Sequence, residues 1–407
     1  MTIDELRRTP NALAREYSRF RVAERLLLTG HSHQAWPDVA FDGQVEAWED
    51  AAAHVDEKWA RATAKADRVR DGFGRLLGGS DGIVALGQST HELVTRFLSA
   101  LPLATRPRLV TTDGEFHTLR RQLDRLGEER VLEVVKVAAE PVATLAERLA
   151  TAVDDRTAAV LASSVLFASA HIVPGLAATL AACRRHGAEL LVDAYHQINV
   201  VPLDVARDGL ADAFVVGGGY KYCQLGEGNC FLRVPPGREH LRPVLTGWFS
   251  EFARLAAADE GAVAYGEGAA RWAGATYDPT SHYRAARVFD FFESRGLGVD
   301  LLRAVSQHQV GLLAARFDAF DLDPGMIERD RSVPLTGIGG FLALRSTRAA
   351  QISARLRARG VWTDSRGELL RMGPAPYLED RQLEGAIEAL AETIRELTTA
   401  PVRSDRL

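Results

Sequence analysis

The chain has 407 residues, enough for one large domain and a smaller one, and its 46% hydrophobic and 25% charged content is that of an ordinary globular protein. The net charge of -5 is spread along the chain without a basic stretch, and no apolar run is longer than a strand, so neither a nucleic-acid partner nor a membrane span is expected. The N-terminus lacks a secretion signal, and three cysteines provide neither a disulfide framework nor a metal site, so we expect a reduced, cytoplasmic protein.

Short apolar runs alternate with helical patterns from residue 83 onward. The predicted strands are Ile83–Leu86, Arg108–Thr112, Val131–Val137, Ala158–Ser163, Glu189–Asp193, Ala213–Gly217 and Asn229–Val234. Helices are predicted between most of them, for example at Glu92–Leu101 and Leu145–Val153. Near-continuous apolar strands separated by helices predict an α/β domain with a mostly parallel sheet that is covered on both faces.

The pattern changes near residue 285 to long amphipathic helices around short strands. Helices are predicted at Ala349–Arg359 and Asp380–Thr398, and strands at Gly340–Arg345 and Leu369–Met372. We therefore predict three parts. Residues 1–45 form an N-terminal segment that packs with the small domain, residues 46–284 form the large α/β domain, and residues 285–407 form a small α+β domain.

A lysine and an aspartate follow two of the predicted strands, where ligands bind in parallel sheets. Lys221 ends the sequence Gly-Gly-Gly-Tyr-Lys at 217–221, and Asp193 ends an earlier strand. A buried lysine has a lowered pKa and becomes a nucleophile, most commonly as a Schiff base with pyridoxal phosphate. A carboxylate such as Asp193 would keep the ring nitrogen of that cofactor protonated. A surface lysine beside a flexible turn is the alternative for the lysine motif alone.

Other residues at strand ends have two interpretations each. Ser89 and Thr90 open a helix and could bind a phosphate, or Ser89 could be an ordinary N-cap with Glu92 in a capping box. Phe116 could stack on a planar cofactor or belong to the core. His196 could bind the cofactor or the substrate, or be a structural histidine.

In their order along the chain, these segments resemble the class V aminotransferase family of pyridoxal-phosphate enzymes, and within it the kynureninases. The resemblance covers nearly the whole chain. It implies the PLP-dependent transferase (aspartate aminotransferase-like) fold, with a large, mostly parallel seven-stranded sheet domain and a small α+β domain. It also implies pyridoxal 5'-phosphate as cofactor, an amino-acid substrate and a homodimer with a shared active site.

The resemblance assigns a role to each matching residue. The implied cofactor-binding residues are Ser89, Thr90, Phe116, Ser163, Asp193, His196, Tyr220, Lys221, Trp248 and Thr276. Lys221 is then the Schiff-base lysine and general base, with Asp193 and Tyr220 as the other catalytic residues. Trp248 reaches the phosphate region, and Thr276 contacts the phosphate across a dimer interface.

The resemblance also places substrate-binding residues. Arg371, in a Leu-Arg-Met-Gly stretch, becomes the clamp on the substrate carboxylate, a role that suits a bidentate guanidinium. His33, His117 and Trp248 are candidates for shaping the substrate pocket.

The chain departs from the kynureninases around the pocket. It has His-Ser-His-Gln at 31–34 in place of Asn-Ser-Leu-Gly, His-Thr-Leu after Phe116 in place of Pro-x-Asp, Leu166 in place of Asn or His, and Glu251 in place of His. These positions surround the amino acid, so the natural substrate could differ from kynurenine.

Kynureninase-type cleavage of the Cβ–Cγ bond, which yields an anthranilate-type acid and alanine, is the specific prediction. A C–S lyase, an epimerase and an aminotransferase are the alternative enzymes, and a catalytically silent dimeric binding protein is the non-enzyme alternative. A cysteine desulfurase is disfavoured because the chain has no cysteine after Cys230 for the small domain to supply.

Overall fold

The computed structural model describes residues 1–79, 81–252 and 263–399, so the last eight residues of the predicted small domain lie outside it. The N-terminal part contains helix α1 (Ile3–Arg7), strand β1 (Leu26–Leu27), and helices α2 (Val39–His54) and α3 (Lys58–Leu76).

A seven-stranded sheet follows. Its strands and helices are β2 (Ile83–Gly87), α4 (Thr90–Ala100), β3 (Arg108–Thr112), α5 (His117–Glu128), β4 (Glu133–Val137), α6 (Leu145–Ala152), β5 (Thr157–Ser163), α7 (Leu176–His186), β6 (Glu189–Asp193), β7 (Phe214–Gly218) and β8 (Cys230–Val234). The strand order is β2-β8-β7-β6-β5-β3-β4, and only β8 runs antiparallel to its neighbours. The predicted seven-stranded, mostly parallel sheet is confirmed.

The sheet forms from the apolar runs because its central strands are covered on both faces. Every residue of β5 is buried, as are all residues of β7 and β8. Strands buried on both faces lose the alternation of polar and apolar residues, which explains the continuous runs in the sequence. Each observed strand begins and ends within two residues of its predicted bounds.

The C-terminal part contains a second sheet. Its elements are α8 (Thr280–Ser294), α9 (Val299–Ala319), β9 (Glu328–Arg329), β10 (Leu342–Arg345), α10 (Ala349–Ala358), β11 (Val361–Trp362), β12 (Asp364–Arg366), β13 (Leu369–Met372) and α11 (Asp380–Thr399). Four strands form an antiparallel sheet in the order β12-β13-β10-β9, and β1 of the N-terminal part pairs in parallel with β11.

The predicted boundaries at 45/46 and 284/285 fall inside helices α2 and α8, which pack against each other. The division into three parts stays a prediction. Among the described helices, none is both long and apolar enough to cross a membrane.

The sheet brings several predicted site residues to one edge. Ser163 at the end of β5 lies opposite Asp193 at the end of β6, and Asp193 lies opposite Val216 of β7. Lys221 lies in the turn that follows β7, three residues after its last residue, Gly218. This edge is the carboxyl end of the parallel strands, where ligands bind in open α/β sheets.

Candidate active site

A cavity of about 240 Å³ lies at this edge of the sheet. Eight residues predicted from the sequence line it: Ser89, Thr90, Phe116, Ser163, Asp193, His196, Tyr220 and Lys221. The lining also includes Tyr195 and Cys230, which sequence reasoning had not assigned to the site. Its position in a short turn between the predicted Asp193 and His196 could have identified Tyr195 as a site residue from the sequence.

Lys221 is the buried lysine that the sequence predicted. The chain has four lysines, and Lys221 is 4% exposed whereas Lys58, Lys65 and Lys136 are half-buried or exposed. Close packing explains the glycines before it, because a Cβ added at Gly218 would lie 2.5 Å from the Tyr195 hydroxyl oxygen. A larger residue there would displace the turn.

The environment of Lys221 favours an uncharged amine. Its Nζ lies 2.6 Å from Nε2 of His196, and 4.7 and 5.2 Å from the ring centroids of Tyr195 and Phe116. Burial lowers the pKa of Lys221 to about 7, and the Asp193 carboxylate opposes this shift in part. Burial, together with the charge of Lys221, also lowers the pKa of His196 well below its usual range, so the imidazole is neutral.

Asp193 and Tyr220 complete the predicted catalytic set. Asp193 Oδ1 accepts a hydrogen bond from the Tyr195 backbone N–H at 2.9 Å, and burial raises the pKa of this carboxyl group. Burial raises the pKa of Tyr220 to about 12, with a further contribution from Cys230, so its phenol keeps its proton at neutral pH. The His33 ring is exposed and stacks on Tyr220, with centroids 5.0 Å apart.

Ser89 and Thr90 lie at the N-terminus of α4. Ser89 is the N-cap, and its side chain accepts a hydrogen bond from the Glu92 N–H at 3.3 Å. Glu92 in turn accepts from the Gln88 N–H at 3.0 Å. Ser89 is therefore an N-cap, but the predicted capping box is not formed, because Glu92 accepts from Gln88 and not from the N-cap N–H. Ser89 also lines the cavity, so the capping and phosphate-binding interpretations do not exclude each other.

Ser163 has a partner that sequence reasoning missed. Its hydroxyl donates to Glu115 Oε2 at 2.6 Å, and its backbone N–H donates to Glu115 Oε1 at 3.1 Å. Burial raises the pKa of Glu115 to about 7. The sequence signal was an acidic residue immediately before Phe116, in the turn that follows β3.

Aromatic rings group beside the cavity. The rings of Phe116, His117 and Phe167 lie with their centroids 5.4 Å apart in each pair. Phe116 lines the cavity, whereas His117 is exposed. Burial lowers the pKa of His117, and Arg120 adds to this effect. His117 therefore lies near the site, and its role toward a substrate stays a prediction.

Arg371 is held by an internal carboxylate. Its Nε and Nη2 each donate to Asp364 at 2.7 Å, and its Nη1 donates to the Phe167 carbonyl at 2.6 Å. Arg371 is 3% exposed, and the buried His31 lies 3.4 Å from Asp364. The predicted carboxylate clamp stays a prediction, and the structure adds that Asp364 occupies the Nε–Nη2 edge of the guanidinium.

Trp248 and Thr276 lie away from the cavity lining. Trp248 Nε1 donates to Thr276 Oγ1 at 3.1 Å, and Trp248 is 45% exposed. Gly274 and Ala275, just before Thr276, line a neighbouring pocket of about 430 Å³ that shares Gln88 with the cavity. The contacts of Trp248 and Thr276 with a cofactor, the latter across a dimer interface, stay predictions.

Comparison with known proteins finds two relatives by sequence and solved structures of similar fold. No family model matches the chain. The uncharacterized aminotransferase YcbU of Bacillus subtilis is 23% identical over 349 residues, covering 85% of this chain and 89% of that protein. Isopenicillin N epimerase of Streptomyces clavuligerus is 27% identical over 190 residues, 45% of this chain and 47% of that protein.

Solved structures resemble this one along almost its whole length. A C-DES mutant with glycine covalently linked to its PLP cofactor superposes with a TM-score of 0.79, at 13% identity, over 93% of this chain and 98% of that one. A cysteine desulfurase from Thermococcus onnurineus gives a TM-score of 0.79 at 14% identity, over 96% and 99%. A complex of the cystine C–S lyase C-DES with cysteine persulfide gives 0.76 at 14% identity, over 91% and 98%.

The fold is therefore the α/β fold of PLP-dependent transferases, in the form found in the class V aminotransferases and cysteine desulfurases. The chain is similar in sequence to an aminotransferase and, over about half its length, to an epimerase.

Proposed function

We propose that this chain is a pyridoxal-phosphate enzyme that removes the Cα proton of an amino-acid substrate and cleaves a bond at Cβ. The observation that carries the proposal is the position of Lys221, whose buried Nζ lies 2.6 Å from His196 Nε2 in a cavity that Asp193 also lines. The similarity of fold to the PLP-linked C-DES structure supports it.

The cavity residues fit this cofactor. Lys221 would hold it covalently, and Asp193 would bind its ring nitrogen. Ser89 and Thr90, at the N-terminus of α4, would bind its phosphate, because backbone N–H groups and the helix dipole favour an anion there. His196 Nδ1 is buried without a hydrogen-bond partner among the described residues, which is unusual unless a ligand completes the site.

Proton transfer follows from the pKa values of the site. When bound, the cofactor supplies an electron sink for negative charge at the substrate Cα. Once the substrate amine has displaced it from the cofactor, Lys221 would accept the Cα proton at Nζ, since its lowered pKa leaves the released amine uncharged near neutral pH. Tyr220 holds a phenolic proton that it can donate later, because its pKa is raised.

A C–S lyase that needs no protein thiol is the first candidate for the cleavage step. All three cysteines are buried, and burial raises the pKa of Cys183 and of Cys230 to about 12. Such thiols stay protonated and are poor nucleophiles. The chain has no cysteine after Cys230, and the cystine C–S lyase C-DES has the same fold.

Kynureninase-type hydrolysis is the second candidate. The rings of Phe116, His117 and Phe167 beside the cavity favour an aryl side chain on the substrate.

A substrate panel tests the proposal. The purified protein, reconstituted with pyridoxal phosphate, is incubated with L-cystine, an S-aryl cysteine, kynurenine and 3-hydroxykynurenine. Pyruvate from the first pair supports the lyase, and alanine with an anthranilate from the second pair supports the hydrolase. The Lys221→Ala variant is the control and should yield neither. A protein that shows no visible absorption band after reconstitution would overturn the proposal.

We also propose a homodimer in which each site is completed by the other copy. Trp248 and Thr276 lie on an exposed surface rather than in the cavity, and Trp48 on the outer side of α2 is 79% exposed. Large exposed aromatic side chains are typical of protein interfaces.

A further inference from the structure

Glu115 is a buried acid that the proposed mechanism does not use. Glu115 is 1% exposed and accepts hydrogen bonds from three donors. Its Oε1 accepts from the Thr112 hydroxyl at 2.7 Å and from the Ser163 N–H at 3.1 Å, while its Oε2 accepts from the Ser163 hydroxyl at 2.6 Å. These three contacts stabilise the ionised carboxylate, which can only accept hydrogen bonds.

The donors are themselves fixed by their surroundings. The Thr112 hydroxyl oxygen accepts the Gly114 N–H at 3.2 Å, so its hydrogen is directed to Glu115. The Ser163 backbone N–H is a donor only. The ionised form of Glu115 therefore leaves one arrangement, in which the single hydrogen of the Ser163 hydroxyl points away from the cavity toward Oε2.

This arrangement decides what Ser163 presents to a ligand. A serine hydroxyl has one hydrogen and two lone pairs, and the hydrogen is already donated. Ser163 lines the cavity, whereas Glu115 lies behind it. The hydroxyl can therefore only accept from a group in the cavity.

We propose that Glu115 is a positioning residue that, as a carboxylate, fixes the Ser163 hydroxyl as a hydrogen-bond acceptor toward the bound cofactor or substrate. The ligand group that meets Ser163 must therefore carry a hydrogen. The inference rests on the proposed function for the identity of the ligand, and the geometry of Glu115 and Ser163 stands without it.

Protonation would reverse the arrangement. Oε1 already accepts two hydrogens, so an added proton would sit on Oε2 and be donated to Ser163, whose own hydrogen would then turn into the cavity. Burial raises the pKa of Glu115 to about 7, within the working range of many enzymes. The groups that face Glu115 are Thr112 from β3, Ser163 from β5 and, as the charged one, Asp193 from β6.

Isosteric substitution tests the inference. In Glu115→Gln the amide can donate to Ser163, so Ser163 would donate into the cavity. Pyridoxal-phosphate affinity and the visible absorption maximum of the reconstituted protein are measured at pH 8 for wild type, Glu115→Gln, Ser163→Ala and the double variant. We expect Glu115→Gln to weaken affinity by about tenfold, the scale of one lost hydrogen bond to a polar partner, and to shift the band.

The double variant separates positioning from a general packing effect. We expect the double variant to match Ser163→Ala, because Glu115 acts only through that hydroxyl. Thr112→Val is the matched control: it removes another donor to Glu115 but not a cavity group, and it should stay within about threefold of wild type. Additive losses in the double variant, or a Glu115→Gln protein equal to wild type beside an impaired Ser163→Ala, would overturn the inference.

If Glu115→Gln does not fold, a pH titration of the reconstituted wild type and of Ser163→Ala tests the same role of Glu115. The absorption spectrum of the reconstituted wild type should change between pH 8 and pH 6, and the part due to Glu115 should be missing in Ser163→Ala, which keeps Asp193 and Lys221. Identical titrations in the two proteins would overturn the inference. If the wild type forms no visible band at all, the proposed function fails instead.

Discussion

At the residue scale, the burial of Lys221, its lowered pKa and its position in the cavity lining all favour a nucleophilic amine. A lysine that is 4% exposed and lies against a neutral histidine is held in its uncharged form far more readily than a surface lysine. Its pKa is lowered to about 7, so the free amine predominates above that pH and the ammonium below it.

This shift predicts how fast the apoprotein takes up its cofactor. The rate of pyridoxal-phosphate capture should rise from pH 6 to about pH 8 and then level off, because only the free amine of Lys221 reacts. The growth of the visible band after mixing, recorded at fixed cofactor concentration, measures this rate. A rate that continues to rise beyond pH 9 would show an ordinary lysine and contradict the assigned environment.

Also at the residue scale, the ion pair between Arg371 and Asp364 is expected to stabilise the fold. Asp364→Asn would leave a buried guanidinium without its charge partner, and we expect the free energy of unfolding to fall by about 3 kcal/mol, in the range for broken buried pairs. Urea denaturation measures it. Glu392→Gln, which removes an exposed partner of Arg359, is the control and should leave the unfolding midpoint unchanged. An equal response of both variants would argue against a buried ion pair.

At the element scale, the N-terminus of α4 combines a structural cap with a place for an anion. Ser89→Ala should lower the free energy of unfolding of the apoprotein by about 1 kcal/mol, because the Glu92 N–H loses its acceptor. Ser89→Asp keeps a capping oxygen and should preserve that stability. Its negative charge should nevertheless weaken pyridoxal-phosphate binding by more than tenfold, as two anions would share one helix end.

Thermal unfolding of the apoproteins and equilibrium cofactor titration separate the two roles of Ser89. A Ser89→Asp protein that binds the cofactor as tightly as wild type would place the phosphate elsewhere.

At the element scale, part of the fold and part of the site could be predicted from the sequence. Strands such as β5, β6 and β7 were predictable because burial on both faces leaves continuous apolar runs, and the residues at their ends met at one edge as expected. The contact of Glu115 with Ser163 was not predictable, because it depends on how the ends of β3 and β5 are juxtaposed. The pairing of Asp364 with Arg371 depends on the register of β12 with β13 in the same way.

At the scale of the whole molecule, the exposed surface that contains Trp248 and Thr276 is the interface of the proposed dimer. We expect a solution mass of twice the 44.4 kDa chain mass by sedimentation equilibrium. A monomer at micromolar concentration would contradict the dimer and remove Thr276 from the site.

A mixing experiment tests whether the two copies share their sites. Lys221→Ala lacks the lysine and Thr276→Ala lacks the hydroxyl of the other copy, so each homodimer should be impaired. After unfolding and refolding together, mixed dimers should have one intact site, which restores roughly a quarter of wild-type sites for random pairing. No gain above the average of the two parents would mean that each site is built within one chain.

The central claim is that Lys221 carries the cofactor, and covalent trapping tests it most directly. The reconstituted protein is reduced with borohydride, digested and mapped by mass spectrometry, with Lys58, Lys65 and Lys136 as internal controls in the same digest. We expect a stoichiometric pyridoxyl modification on Lys221 and none on the other three lysines. An unmodified Lys221, or a label spread over the exposed lysines, would contradict the assignment.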